Sequence, residues 1–179
     1  TLAELISKTG AIPEPIIGAI LVQLVTIVDR LHHQLACVHN DLDARNIFIC
    51  KASGIVRVGG FFFSHFLSCE PASEFRDDQQ SSRRFLGPLR HQAPERMLGL
   101  ECHFPSDVWS LGFLVREMAL GEFPLSLLNT KWRNKCERFS KTARPEDFGH
   151  QLSELVSSCM NKNPRLRPNT RQLLLHPFL

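Results

Sequence analysis

Residues 39–46 read His39-Asn40-Asp41-Leu42-Asp43-Ala44-Arg45-Asn46. Two carboxylates, a histidine, a guanidinium and two amides crowd into that stretch. Upstream, Pro15 stands where a first helical residue is favoured, because its missing N–H would have no partner there anyway. Ile16, Ile17, Ile20, Leu21, Leu24, Ile27, Val28 and Leu31 then recur at three- and four-residue spacing, which predicts a helix buried on most sides. Leu2, Leu5 and Ile6 predict a shorter amphipathic turn before it, closed by Gly10. Downstream, Asn46 to Cys50 and Ile55 to Val58 flank Lys51-Ala52-Ser53-Gly54, a compact hairpin signature.

Further out, the pattern fails from Phe66 to His91. Glu70 to Arg84 is polar, carries Asp77-Asp78-Gln79-Gln80-Ser81-Ser82, and reads as a long surface loop. Loops of that length are usually functional or disordered. Helical periodicity then returns. Ser106 or Asp107 is expected to cap a helix carrying Val108, Trp109, Leu111, Leu114, Val115 and Met118 and ending near Gly121. Phe148, Leu152, Leu155, Val156 and Cys159 mark a further amphipathic helix. Asn169 caps the last one, with Leu173 and Leu174 inside and Pro177 at its end. There are no internal repeats, so the pattern alone gives one mainly α domain with a small β-hairpin and one long loop.

The 21 basic and 18 acidic residues are interspersed, leaving a net charge of +3. No charge block forms a nucleic-acid stripe; Arg83-Arg84 and Lys131 to Arg138 read as solvated faces. The six cysteines, Cys37, Cys50, Cys69, Cys102, Cys136 and Cys159, include no Cys-x-x-Cys pair, so free thiols in a reducing compartment are expected. The apolar run Ile16 to Val28, broken by Gln23 and Thr26, reads as too short and too polar to span a bilayer. An intracellular domain, cytoplasmic or nuclear, cut from a longer chain and binding neither nucleic acid nor membrane, is the expectation. His32-His33 read as surface caps on a helix end.

Residues 39–46 resemble the protein-kinase catalytic loop, H-R-D-L-x-x-x-N. Further matches follow in that family's order. Val58-Gly59-Gly60-Phe61-Phe62 stands in the place of the strand ending in D-F-G, and Ala93-Pro94-Glu95 matches A-P-E. Ser106-Asp107-Val108-Trp109-Ser110-Leu111-Gly112 matches D-x-W-S-x-G. Asn163-Pro164-Arg165-Leu166-Arg167-Pro168, followed by His176-Pro177-Phe178, matches the closing segment. The resemblance implies a kinase C-terminal lobe over residues 1–179, with catalytic loop 39–46, activation segment 60–95 and helical subdomain 106–179. No G-x-G-x-x-G loop or V-A-I-K lysine occurs in these residues, so the N-terminal lobe is expected to be absent from this chain. Glu95 and Arg167 are similar to the family's buried ion pair, Asp107 to the carboxylate that holds the catalytic-loop backbone, and His39 to the loop's structural histidine.

Phosphoryl transfer is mostly positioning and charge neutralisation. The resemblance puts Asp41 at the base position and Asn46 at the second-metal position. Other positions depart. Gly60 replaces the metal-binding Asp of D-F-G, and Phe62 replaces its Gly, where a bulky side chain cannot take the backbone conformations glycine allows. Asn40 replaces the Arg that clamps a phosphorylated loop. Asp43 falls where a lysine meets the γ-phosphate; a carboxylate there repels it by about 4 kcal/mol for unit charges about 4 Å apart at an effective dielectric of about 20. Arg45 resembles the tyrosine-kinase loop, A-A-R-N, and would offset part of this, whereas the helices around Trp109 and Asn163 look more like serine/threonine kinases. In Gly87-Pro88-Leu89-Arg90-His91, compared with G-T-x-x-Y, Pro88 and His91 replace the Thr and the Tyr. Phe61, Phe62 and Phe63 either plug the site or fill the core.

These departures lead to the expectation of a pseudokinase lobe that binds a protein partner through the groove after Gly121 or the loop Glu70 to Arg84. It would have no metal site and no bound cofactor. Two alternatives stay open: a fragment of a divergent ATP- and Mg²⁺-dependent serine/threonine protein kinase, and a purely structural domain of a larger assembly.

Overall fold

Thr1 caps the first helix, its hydroxyl accepting from the Glu4 N–H at 3.3 Å. In the computed structural model residues 1–67, 91–100, 103–122 and 149–179 are described. Pro88, the loop Glu70 to Arg84, Lys131 to Arg138, the stretch 123–148 with Phe148, and Cys69, Cys102 and Cys136 lie outside the described residues.

Helix α1 (Leu2–Thr9) buries Leu2 and Ile6 and stops at Gly10, whose φ of 70° is open to glycine at no steric cost. Helix α2 (Glu14–Leu35) follows, with Pro15 in its first turn. Ile17, Ile20, Leu21, Leu24, Val25, Val28 and Leu31 make its buried stripe. It is longer than the apolar run read from the sequence, and by length and composition alone it would reach across a membrane. In the fold that stripe is part of the main hydrophobic core.

Strands β1 (Cys37–Val38), β2 (Ile47–Ile49), β3 (Val56–Val58) and β4 (His65–Phe66) are short. β2 and β3 form the expected antiparallel hairpin, registering Ile47 with Val58 and Ile49 with Val56. Gln23 pins this hairpin to α2: its Nε2 donates to the Gly54 carbonyl (3.2 Å) and its Oε1 accepts from the Val56 N–H (3.0 Å). β1 pairs with β4, a pairing too short to show as periodicity.

A short helix α3 (Pro94–Met97) precedes the central helix α4 (Phe104–Leu120). α4 begins earlier than expected, with His103 as N-cap and Pro105 in its first turn. Ser106 and Asp107 therefore do not cap it. Both are buried inside its first turn and bond to other segments. Helix α5 (His150–Cys159) packs against α4 at Gly112, where a Cβ would stand 2.6 Å from the Cys159 Cβ. Helix α6 (Thr170–Leu173) has the expected Asn169 cap, completed as a capping box by Gln172. It ends well before Pro177. The result is a mainly helical domain with a few short strands, its core shared by α1, α2, α4, α5 and α6.

Candidate active site

Asp107 has no exposure to solvent and holds the loop 39–46 from below. Its Oδ2 accepts from the His39 N–H (2.8 Å) and its Oδ1 from the Asn40 N–H (2.8 Å). His32 Nε2 also lies 2.8 Å from Oδ2. His32 is thus not a surface cap. Its ring is buried, stacked on Phe104 with centroids 4.4 Å apart. His33 alone is partly exposed, 3.4 Å from Asp29.

His39 is fully buried, with Nε2 donating to the Gly59 carbonyl (3.0 Å) and Nδ1 accepting from the Asp41 N–H (3.2 Å). That pattern is the neutral imidazole, and burial holds its pKa below the usual value. Asp41 is half-buried. Asn46 Nδ2 donates both to the Asp41 backbone carbonyl (2.9 Å) and to its Oδ2 (2.8 Å). Burial raises the Asp41 carboxyl above its ordinary pKa, with the nearby Asp43 adding to the rise and the Asn46 hydrogen bond opposing it.

Gly60 takes φ of 78°, and a Cβ there would lie 2.4 Å from the Asn46 amide. The Asn46 side chain therefore fills the space that a side chain at position 60 would need. Phe62 sits in a 3₁₀ turn (Phe61–Phe63) and is not among the residues with positive φ, so it does not need glycine's freedom. The phenylalanines are not core residues either: Phe62 is 88% exposed and Phe61 47%. Phe61 packs on the His39 ring at 4.6 Å.

Asn40 adopts φ of 64°, a left-handed conformation that asparagine tolerates better than most residues. Its Nδ2 donates to the Phe63 carbonyl (3.1 Å) and to His65 Nδ1 (2.8 Å), and its carbonyl accepts from Arg96. Asp43 is buried with both oxygens engaged. Arg45 Nε donates to Oδ1 (2.8 Å), Arg45 Nη2 donates to Oδ2 (2.9 Å), and His91 Nδ1 lies 3.2 Å from Oδ2. Burial alone would raise its pKa, but the close His91 ring and the Arg45 hydrogen bonds outweigh that and hold the carboxyl well below the usual range. The carboxylate expected to repel a phosphate is thus paired locally with the Arg45 guanidinium.

Glu95 and Arg167 form a bidentate buried pair, Nη1 to Oε1 at 2.6 Å and Nη2 to Oε2 at 2.8 Å. Ser106 Oγ donates to Glu95 Oε1, Arg167 donates to the Pro105 and Asn161 carbonyls, and its guanidinium lies 5.0 Å above the Trp109 ring. Sequence reading does not place His32, His65, Arg96 or Glu117 at this site. Each meets its partner across a long sequence separation and carries no local signal.

A family model described as a protein kinase domain matches residues 1–179. The chain belongs to the protein kinase family. It is 31% identical to mitogen-activated protein kinase kinase 1c of Physcomitrium patens over 188 residues, covering 100% of this chain and 52% of that protein. Mitogen-activated protein kinase kinase SIPKK of Nicotiana tabacum is 30% identical, covering 100% of this chain and 50% of that protein. Serine/threonine-protein kinase ppk16 of Schizosaccharomyces pombe is 32% identical over 99% of the chain, which covers 25% of that protein. The chain spans about half the length of the first two kinases.

These matches correct the expectation of a pseudokinase scaffold without enzymatic activity: relatives aligned over the whole chain are named as kinases. Most of the departures from the motifs are accommodated locally. Asn40 and Asp43 are each supplied with new partners, and Phe62 is not strained. Gly60 remains a true loss of a donor. Asp41 is the carboxylate to which the Asn46 amide donates. Among the described residues no cluster of three or more His, Cys, Asp and Glu side chains is placed to hold a metal ion. These residues do not fit the magnesium site that the resemblance implies.

Proposed function

We propose that this chain is the C-terminal lobe of a divergent ATP-dependent serine/threonine protein kinase, with catalytic loop 39–46, activation segment 60–95 and helical subdomain 106–179. The reaction moves the γ-phosphoryl group of ATP to a protein hydroxyl. The bond from phosphorus to the ADP oxygen breaks, a bond to the acceptor oxygen forms, and the acceptor's proton passes to the Asp41 carboxylate. The raised pKa of Asp41 suits this task, because a stronger base takes the proton more readily. His39 and Asn46 orient it, and Asp107 fixes the loop backbone.

The observation that carries this reading is the alignment of kinases over the full chain, together with the intact Asp41–Asn46 bond. The names of the relatives suggest a mitogen-activated protein kinase as the first acceptor to try. The test is to incubate the longest form of the protein with γ-labelled ATP and such an acceptor, then identify the labelled residue. Label on serine or threonine is expected; an unlabelled acceptor across a panel of protein substrates would overturn the reading.

A further inference from the structure

His91 enters the fold just before α3 with its ring 5% exposed, and both ring nitrogens meet carboxylates. Nε2 lies 2.8 Å from Glu117 Oε2 on α4, and Nδ1 lies 3.2 Å from Asp43 Oδ2 in the catalytic loop. An ionised carboxylate only accepts, and a neutral imidazole carries a single N–H. Nε2 is hydrogen-bonded to Glu117, whereas Nδ1 faces the Asp43 carboxylate without hydrogen-bond geometry. Either neutral tautomer would turn a nitrogen lone pair on one of these two carboxylates, so the pocket favours the imidazolium. The surroundings hold it in that place. Phe113 packs edge-on at 4.7 Å, and Ser110 Oγ donates to the His91 carbonyl at 2.8 Å. Among the described residues, the charged groups that bear on the ring are Asp43 and Arg45 from the loop and Glu117 from α4, with Arg45 sharing the Asp43 carboxylate.

We propose that His91 is a positioning residue for phosphoryl transfer, an imidazolium bridge that ties Asp43 to Glu117 and so sets the loop that presents Asp41. This rests on the kinase reading above. Burial alone would lower the imidazole pKa, but the close Asp43 carboxylate and the hydrogen-bonded Glu117 carboxylate outweigh it and raise it. A raised imidazole contributes fully below its unfolded value of about 6.5 and loses its contribution as pH rises through the folded value. The bridge therefore opens on the alkaline side.

Two measurements test this. Nitrogen NMR of the His91 ring in the intact chain needs no activity. At pH 7 both nitrogens are expected to carry protons, and Glu117→Gln is expected to move the titration to lower pH. A neutral ring at pH 7 would overturn the bridge. The second is the pH profile of kcat for the longest form of the protein. An alkaline decline is expected in the parent. His91→Gln should lose up to about 100-fold in kcat, as a small misplacement of a reacting group does, with KM little changed and the decline gone. His91→Lys keeps the charge and should recover much of that loss. A His91→Gln variant with the parental kcat and pH profile overturns the positioning role. If the parent transfers no phosphate, the positioning role falls with the kinase reading, while the NMR result alone decides the bridge.

Discussion

At the residue scale the site is held by pairs whose partners lie far apart in sequence. Glu95 and Arg167 are the clearest case, 72 positions apart and both buried. Replacing Arg167 with Met takes the cation away from the Glu95 carboxylate and leaves it the neutral hydroxyl of Ser106. Stranding a buried charge typically costs about 3–5 kcal/mol, so Arg167→Met should lower stability by that amount in urea unfolding. The double variant Glu95→Leu with Arg167→Met should recover part of it, because no charge is then left behind. The motif comparison in the sequence makes this pair legible. It does not make legible how Asn46 fills the space beside Gly60 or how His91 meets Asp43, since those depend on where side chains point in three dimensions.

At the element scale the α4–α5 contact depends on Gly112. A side chain there would press on Cys159 Cβ and on Met160 Cγ, which would lie 3.0 Å away. Gly112→Val is expected to cost about 1–3 kcal/mol by overpacking, read as a lower urea midpoint. Gly18 gives the contrast. It lies inside α2 at ordinary φ, and a Cβ added there would stand 3.7 Å from its nearest neighbour. Gly18→Ala should be neutral or stabilise by up to about 1 kcal/mol. The long helices α2, α4 and α5 are legible because the three- and four-residue period runs through them. Their starts are less so. The periodic apolar residues of α4 begin at Val108, whereas its first turn is set by Pro105 and by buried polar bonds that carry no period. The β1–β4 pairing leaves no trace, because two residues cannot display alternation.

At the scale of the whole molecule, the buried charges make stability depend on pH. The folded Asp43 carboxyl sits below its unfolded value of about 3.9. Its contribution is complete above that value and is lost as pH falls through the folded one. Acid unfolding followed by circular dichroism below about pH 4 should therefore be less steep in Asp43→Asn than in the parent. Asp41 has the opposite sign, because burial raises it, so its ionised form costs stability at neutral pH. Asp41→Asn is expected to leave the melting temperature unchanged or higher. Family membership is legible from the motifs spread over the chain. Activity is not, because a lost motif residue reads as lost chemistry until its neighbours in space are known. The most direct test compares γ-phosphoryl transfer to a protein hydroxyl by the longest form of the protein with that of its Asp41→Asn variant. A loss of about 10²–10⁴-fold in kcat is predicted, with the variant folded as well as the parent; equal rates in the two proteins, or none in the parent, would contradict the account.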